Sequence, residues 1–561
     1  MMMTVGVLIW VVGVASGLRE RPEWRALEAH AEEMKATHLR ELVEDEERCA
    51  RLFLEGPCGL VVDYARQKVT TRTMELLFGL AKSCEVMAKR DRMMRGERIN
   101  TSEDRAVLHA ALRSSRDSRV EAVVEKILKF AEGVRSGDLR TAAGDAFAAV
   151  LVVGIGGSQL GPEFVVRALE DARLETRFLG NVDAFEVATR GLDPRRTLVV
   201  VSSKSFTTTE TMRNAERAKA WLGGGDVSDR VVGCSASREK VEAFGASRLF
   251  EFWDWVGGRF SATASPGLLP LALAAGADAA RKFLDGAAAV DAHFAEAPLE
   301  RNVPVVLALL GVWNKNFLDL CCRAVVPYAA RLARFPAHVQ QLEMESNGKS
   351  VGANDHRQLD VPAGEIVFGE PGTDAQHSFF QFLHAASPVP VDFVGFLRGT
   401  DAAAHDDLSA NLFAQPDALA IGTPEDGTLP PYKRFAGDRP SLTILFPRLE
   451  PRSARCPFRD NNFPTNHPRL GRSSRFTNIA RRSRGAWLWG INSWDQMGVE
   501  LGKTLAATIR AHIQAAKSSS TTDGVVAQPA PAMMNPSTRR LLDIYARANR
   551  DDRGGSSLSS S

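Results

Sequence analysis

A chain of 561 residues exceeds what one small core can organise and fits two or more domains, each with ample apolar surface to bury. Its 44% hydrophobic and 25% charged content are those of an ordinary globular protein, and a net charge of +2 excludes wholesale nucleic-acid binding while leaving room for a local basic cleft. Seven cysteines without a CxxC pair, only Cys321 and Cys322 being adjacent, exclude a disulfide frame or a zinc site and read as reduced, buried thiols.

The chain opens on MMMTVGVLIWVVGVASG. Its apolar run, Val5 to Val14, is too short to span a bilayer and has no basic flank before it. The reading is an extraneous leader over 1–18, with a signal peptide ending near Ala15 and Ser16 as the alternative.

From Trp24 to about Asp117 the apolar spacing predicts a helical arm (19–118), with Ala26, Leu27, His38, Leu39, Leu42 and Phe53 on its core faces. VTTRTMELLFGLA and INTSEDRAVLHAALR each place Thr or Ser ahead of apolar periodicity, as capped helices do. His109, in the second, reads as structural or surface.

Two strand–turn–helix units follow. Ala148 to Val153 predicts a buried strand, GIGGS a tight turn and Pro162 to Leu169 a helix. Glycines between a strand and a helix expose backbone N–H groups that attract phosphate. Gln159 stands where a dinucleotide fingerprint needs its third glycine, which disfavours a nucleotide cofactor. The second unit has a strand at Leu198 to Val201, then a turn carrying Ser203, Lys204, Ser205, Thr207 and Thr208. One cation among hydroxyls at a helix start suits a phosphate dianion; the plain alternative is an N-cap with surface threonines. Turns after successive parallel strands converge at the strands' carboxyl ends.

Pro304 to Leu318 predicts a second αβ region, with its core strand and turn over Pro327 to Arg334. Then comes QQLEMESNGKSV, in which Val339, Leu342 and Met344 make an apolar approach to Glu345. A carboxylate at a helix end, pinned by a turn whose Gly348 tolerates left-handed angles, is held in one place. Glu343, two residues away, faces elsewhere on a helix. A single fixed carboxylate suits proton transfer between neighbouring carbons rather than paired-carboxylate hydrolysis; an exposed glutamate near a helix end is the alternative. His377 heads a predicted helix with His384 seven residues on, yet no Cys, Asp or Glu completes a metal site.

GIGGSQLGP, SKSFTTTET, FWDWVGGRFSATASPGLLPLAL, QQLEMESNGK, GEPGTDAQHSFFQFLH and NSWDQMGVELGKTLA occur in one order and spacing. In these six motifs the chain resembles the glucose-6-phosphate isomerase (phosphoglucose isomerase) family, with DYARQKVTTRTMELLFGLA and NPSTRRLLDIYARA extending the similarity over most of its length. The resemblance implies an α/β fold of two SIS-type doubly wound parallel-sheet domains, 119–295 and 296–517, with helical N- and C-terminal arms. It implies reversible isomerisation of D-glucose 6-phosphate to D-fructose 6-phosphate through a cis-enediol, without metal or cofactor. The partners implied are the hexose 6-phosphate and a second copy of the chain, not nucleic acid or a membrane, in the cytoplasm.

Residue by residue, the resemblance makes Glu345 the base and Arg259 the stabiliser of the enediolate; otherwise Arg259 reads equally as an internal salt bridge. His377, reaching the neighbouring subunit's site, and Lys503 are implied in ring opening. Gly157, Ser158, Gln341 and Gln496 are placed by the substrate, and Ser203, Lys204, Ser205 and Thr208 around its phosphate. Ser205 stands where the family usually has Thr, and Ala385 and Ala386 replace the usual Gln-Gly after His384, which reads as packing. Gln496 and Lys503 lie seven apart on a predicted helix, where the plain reading of Lys503 is a solvated lysine. A sugar-phosphate sensor or inactive relic would keep the hydroxyl cradle; the joint presence of Glu345, Arg259, His377 and Lys503 argues for the enzyme.

One segment departs from the resemblance. After RPSLTILFP the family pattern continues into an apolar helix ending like ALIALYEHR, where this chain reads polar and basic over 452–484. Codon degeneracy allows Arg472 to Ala480 (RSSRFTNIA) to be written CGC TCA TCG CGC TTT ACG AAC ATC GCG. Prefixed by one base and read one frame away, that string gives ALIALYEHR. The expectation is a frameshift or mis-spliced intron between about Arg452 and Arg484, against a genuine basic loop. Residues 518–561 read as a Ser/Thr/Ala/Pro linker, a short helix over Ser537 to Ala548 and a disordered end.

Overall fold

Unbroken apolar runs set the frame. Strands covered on both faces need no polar alternation, and AVLVV, TLVVVS and VVGCS bury every position. The computed structural model describes residues 17–113, 117–424, 427–449, 485–518, 535–542 and 544–545. It has two units, the first ending at Trp494 and the second beginning at Asp495.

The strands of the first unit are β1 (Phe53–Glu55), β2 (Val61–Asp63), β3 (Ala149–Val153), β4 (Glu175–Leu179), β5 (Thr197–Ser202), β6 (Val231–Ser235), β7 (Arg248–Glu251), β8 (Cys322–Pro327), β9 (Ile366–Phe368), β10 (Val391–Phe396) and β11 (Ser441–Phe446). One sheet, ordered β4-β3-β5-β6-β7, is parallel throughout. The chain steps from β3 outward to β4, then returns past β3 to β5. The turns leaving β3 and β5 therefore lie together at the carboxyl end of the sheet and flank the crevice that opens where the strand order reverses. The other sheet, β1-β2-β11-β10-β8-β9, is parallel from β11 to β9 and gains the antiparallel β1–β2 hairpin at one edge. The α/β class with two doubly wound parallel sheets is as the sequence indicates.

Side-chain alternation splits the first sheet between two cores. Val150, Val152, Leu198 and Val200 join the main cluster, while Leu151, Val153, Val199 and Val201 pack with Phe206, Phe244 and Leu222 on the other face. Helices Ser265–Ala275 and Val303–Val312 are buried at every position, as helices apolar all round must be.

Several local expectations are corrected. The N-terminal arm is not wholly helical, because β1 and β2 extend the second sheet; Phe53 is exposed on that edge. Thr70 does cap helix Thr71–Ser83 through a reciprocal box with Thr73. INTSED forms no helix: Asn100 and Arg105 bridge across a turn, and only His109–Arg113 coils, as a 3-10 turn. The second region's strand ends at Pro327 instead of starting there. Residues 490–496 carry no helix, so Gln496 precedes the helix that bears Lys503. Of the six described cysteines, none in a disulfide, only Cys84 and Cys234 are buried, and Cys321 is exposed.

The second unit contains helix Met497–Ser518 and helical residues at 536–542 and 544–545. Among the described residues no helix is long and apolar enough to cross a membrane. The leader to residue 16, the segment 450–484, the linker over 519–534 and the chain end from 546 lie outside the described residues.

Candidate active site

The turn leaving β3 is locked by glycine. Gly156 takes a positive φ of 58°, which favours glycine. A Cβ on Gly157 would lie 2.1 Å from the carbonyl carbon of Gly258, so two backbones touch there. Ser261 Oγ donates to the carbonyls of Gly157 and Gly258, each at 2.7 Å, and ties this turn to the 3-10 segment Gly258–Thr263 that carries Arg259. Ser158 sits half-buried at the end of the same turn.

The turn leaving β5 carries the hydroxyls. Ser203 Oγ lies 3.2 Å from Thr208 Oγ1, and Ser205 Oγ lies 2.7 Å from Thr207 Oγ1. Between them Phe206 holds a left-handed φ of 51° with its ring buried against Phe244, an unusual backbone state for a bulky residue. That twist leaves Ser205 and Thr207 exposed on either side of a buried anchor. Thr208 is the N-cap of helix Thr209–Trp221, yet its side chain makes no capping bond. The plain N-cap reading of this cluster is thereby weakened. Lys204 Nζ donates to the carbonyls of Asp254 and Val256 at 3.3 and 3.4 Å, and burial lowers its pKa below an ordinary lysine's.

Asp254 and Val256 lead directly to Gly258 and Arg259. The Arg259 side chain is 1% exposed, and its Nη1 stands 3.5 Å from Oε2 of Glu345. Its Nη2 donates to the backbone carbonyl of Ser493. The adjacent Phe260 ring is stacked on His109 at 5.0 Å, a packing role for that histidine.

Glu345 closes a π-turn, Gln341–Glu345, that follows helix Phe335–Gln340. Such one-turn widenings recur at functional sites because they re-aim side chains. Gln341 Nε2 lies 3.7 Å from where a Cβ on Gly156 would sit, and its buried Oε1 has no hydrogen-bond partner among the described residues. Lys349 Nζ donates to the carbonyls of Glu345 and Ser346, closing the end of the turn. Two details differ from expectation. Met344 is exposed at 40%, whereas Val339 and Leu342 are buried. Gly348 has no left-handed φ; it is needed because a Cβ would meet the Met344 carbonyl oxygen at 2.5 Å.

His377 is exposed and ends helix Gly372–Gln376 as its C-cap rather than heading a helix. His384 lies on a separate helix, Phe380–Ala385, between the rings of Phe380 and Phe435, where burial lowers its pKa. In the second unit, Lys503 is exposed and pairs with Glu500 at 2.8 Å, and the Gln496 carbonyl accepts from the N–H of Val499. Ser261, Lys349 and Ser493 also take part, and each lies within one of the six motifs, although nothing in its residue type marks it out. Their signal was adjacency to glycines and to Arg259 in three dimensions.

The first unit thus joins a hydroxyl-lined turn, a tight glycine turn, a buried guanidinium and one carboxylate. The phosphoglucose isomerase family profile matches residues 63–455 and 481–528. The chain belongs to that family. The match omits 456–480, inside the basic segment. The chain is similar to a cytosolic glucose-6-phosphate isomerase of Arabidopsis thaliana, at 41% identity over 94% of this chain and 97% of that one. It is also similar to cytosolic glucose-6-phosphate isomerase A of Oryza sativa subsp. japonica, at 44% over 93% and 95%. A glucose-6-phosphate isomerase crystal structure from Chlamydia trachomatis superposes with a TM-score of 0.79 at 31% identity, covering 95% of this chain and all of that one. A solved glucose-6-phosphate isomerase thus shares this fold over 95% of the chain.

Proposed function

We propose that the chain interconverts D-glucose 6-phosphate and D-fructose 6-phosphate in the cytosol, the compartment named for its plant relatives. The observation that carries the reading is the Arg259–Glu345 pair, set beside the turns that leave β3 and β5. In this reading Ser203, Lys204, Ser205 and Thr208 hold the phosphate, and Gly157, Ser158, Gln341 and Gln496 bound the sugar. His377 and Lys503 pass a proton between hydroxyl and ring oxygen to open the ring. Glu345 takes the proton from C2 and returns it at C1. Arg259, charged at any working pH, faces the oxygen that becomes enediolate. The carbonyl beside C2 acidifies that proton. A homodimer in which His377 serves the neighbouring site accounts for the exposure of that histidine at a helix end.

The test is a coupled assay with fructose 6-phosphate on the purified chain, with mannose 6-phosphate as the competing aldose. Glu345→Gln should bind sugar phosphate and lose turnover by at least the ~10²–10⁴-fold of a positioned acid–base group. Near-normal turnover in that variant removes Glu345 from the role of base.

A further inference from the structure

Glu345 and Arg259 come from different sheet-connected segments, and a pair 3.5 Å apart needs something to fix both members. That support is visible behind them. Arg323, on β8, is buried with Nη2 2.6 Å from Glu365 and 3.8 Å from Glu343, and Nη1 3.3 Å from Asp392. All four side chains are at most 6% exposed. Burial opposes the charge on Arg323, but the three carboxylates outweigh it and raise its pKa, so the cation is permanent.

From this anchor a continuous path runs to the catalytic pair. Glu343 Oε1 accepts from Asn347 Nδ2 at 2.9 Å, and Asn347 Oδ1 accepts from Ser493 Oγ at 2.7 Å. The Ser493 carbonyl accepts from Arg259 Nη2, whose Nη1 faces Glu345. Glu343 and Glu345 share one π-turn, so the path leaves that turn through the first carboxylate and returns to it at the second.

Resting on the function proposed above, we propose that Glu343 and Asn347 are positioning residues that hold Arg259 against Glu345 by tying the Ser493 carbonyl to the buried Arg323 cluster. Neither belongs to the phosphate-holding turn, Ser203 to Thr208. Loss of the path therefore lets the guanidinium drift from the developing oxyanion while phosphate affinity persists. A displacement of about 1 Å at a reacting centre costs on the order of 10²-fold in rate.

The experiment is steady-state kinetics on the full chain, with wild type measured first. An inactive wild type would overturn both the isomerase reading and this one; an active wild type isolates the positioning claim. Asn347→Ala should lower kcat about 10²-fold with KM within about twofold. Ser493→Ala, which keeps the carbonyl, should lower kcat less and add nothing in the Asn347→Ala background, because the two act in series. Glu343→Gln, which keeps the acceptor, should restore most of the activity lost in Glu343→Leu. Additive losses from Asn347→Ala and Ser493→Ala, or a rise in KM matching the fall in kcat, would overturn the proposal. Should Glu343→Leu not fold, the serine–asparagine cycle decides alone.

Discussion

Lys204 shows how one residue's surroundings set a measurable property. Two backbone carbonyls hold its ammonium, and burial draws its pKa below the ordinary 10.5. The cation that would meet a phosphate dianion is present below that lowered value and lost as pH rises through it. KM for fructose 6-phosphate should therefore climb on the alkaline side earlier than an exposed lysine would allow, with kcat less affected. Lys204→Arg, whose charge does not titrate, should flatten that limb when KM is followed from about pH 7 to about pH 10. A limb unchanged by the substitution would assign it to another group. The clustering of Lys204 with its hydroxyls is legible in sequence. The carbonyls of Asp254 and Val256 are not, because backbone partners leave no compositional trace. The same limit explains Gly348, whose need for a missing side chain comes from a carbonyl four residues back and not from its own φ.

At the scale of elements, long patterns were readable and short ones were not. The apolar runs of β3 and β5 announced parallel strands, and Thr70 announced its helix. Strands β1 and β2 have three residues each, too few for alternation to stand out from the helical spacing around them. INTSED has the capping residues of a helix start, but Asn100 pairs with Arg105 and donates from its side chain to Glu103, and this local turn chemistry wins. The glycine turn after β3 is an element whose tolerance can be measured. Gly157→Ala puts a methyl into the Gly258–Arg259 backbone, which cannot swing aside as a side chain can. The two turns must part, at a cost of about 1–3 kcal/mol typical of overpacking. The expected result is a lower thermal midpoint with kcat/KM reduced more than tenfold, roughly the 1.4 kcal/mol per decade at the transition state. Wild-type kinetics in that variant would show that the contact between the turns is dispensable.

At the scale of the whole molecule, the outstanding question is the basic segment. The family profile passes over 456–480 and resumes at 481, while the flanking strand β11 and the motif around Ser493 are in place. Sequence on both sides therefore belongs to one protein, and the interruption has the length of a helix with its connections. Reading the transcript should reveal ALIALYEHR one base out of register with Arg472 to Ala480. An expressed chain with that register restored should be the more stable by several kcal/mol, comparable to a domain's whole margin. A transcript that offers no such register, or no gain in melting temperature on repair, would leave the segment as a loop native to this lineage. The sequence made this anomaly legible because a broken hydrophobic pattern stands out against an intact one.

The division of the first sheet between two cores has an implication for how such a chain can vary. Val199 and Val200 are bonded neighbours, yet they pack into different clusters. Mutational drift at one need not be answered at the other. Compensating changes belong instead with members of the same cluster that are remote in sequence, such as Phe244 and Leu222 on the side of Val199. Covariation in this part of the molecule should thus skip adjacent positions and follow the two sides of the sheet as separate histories.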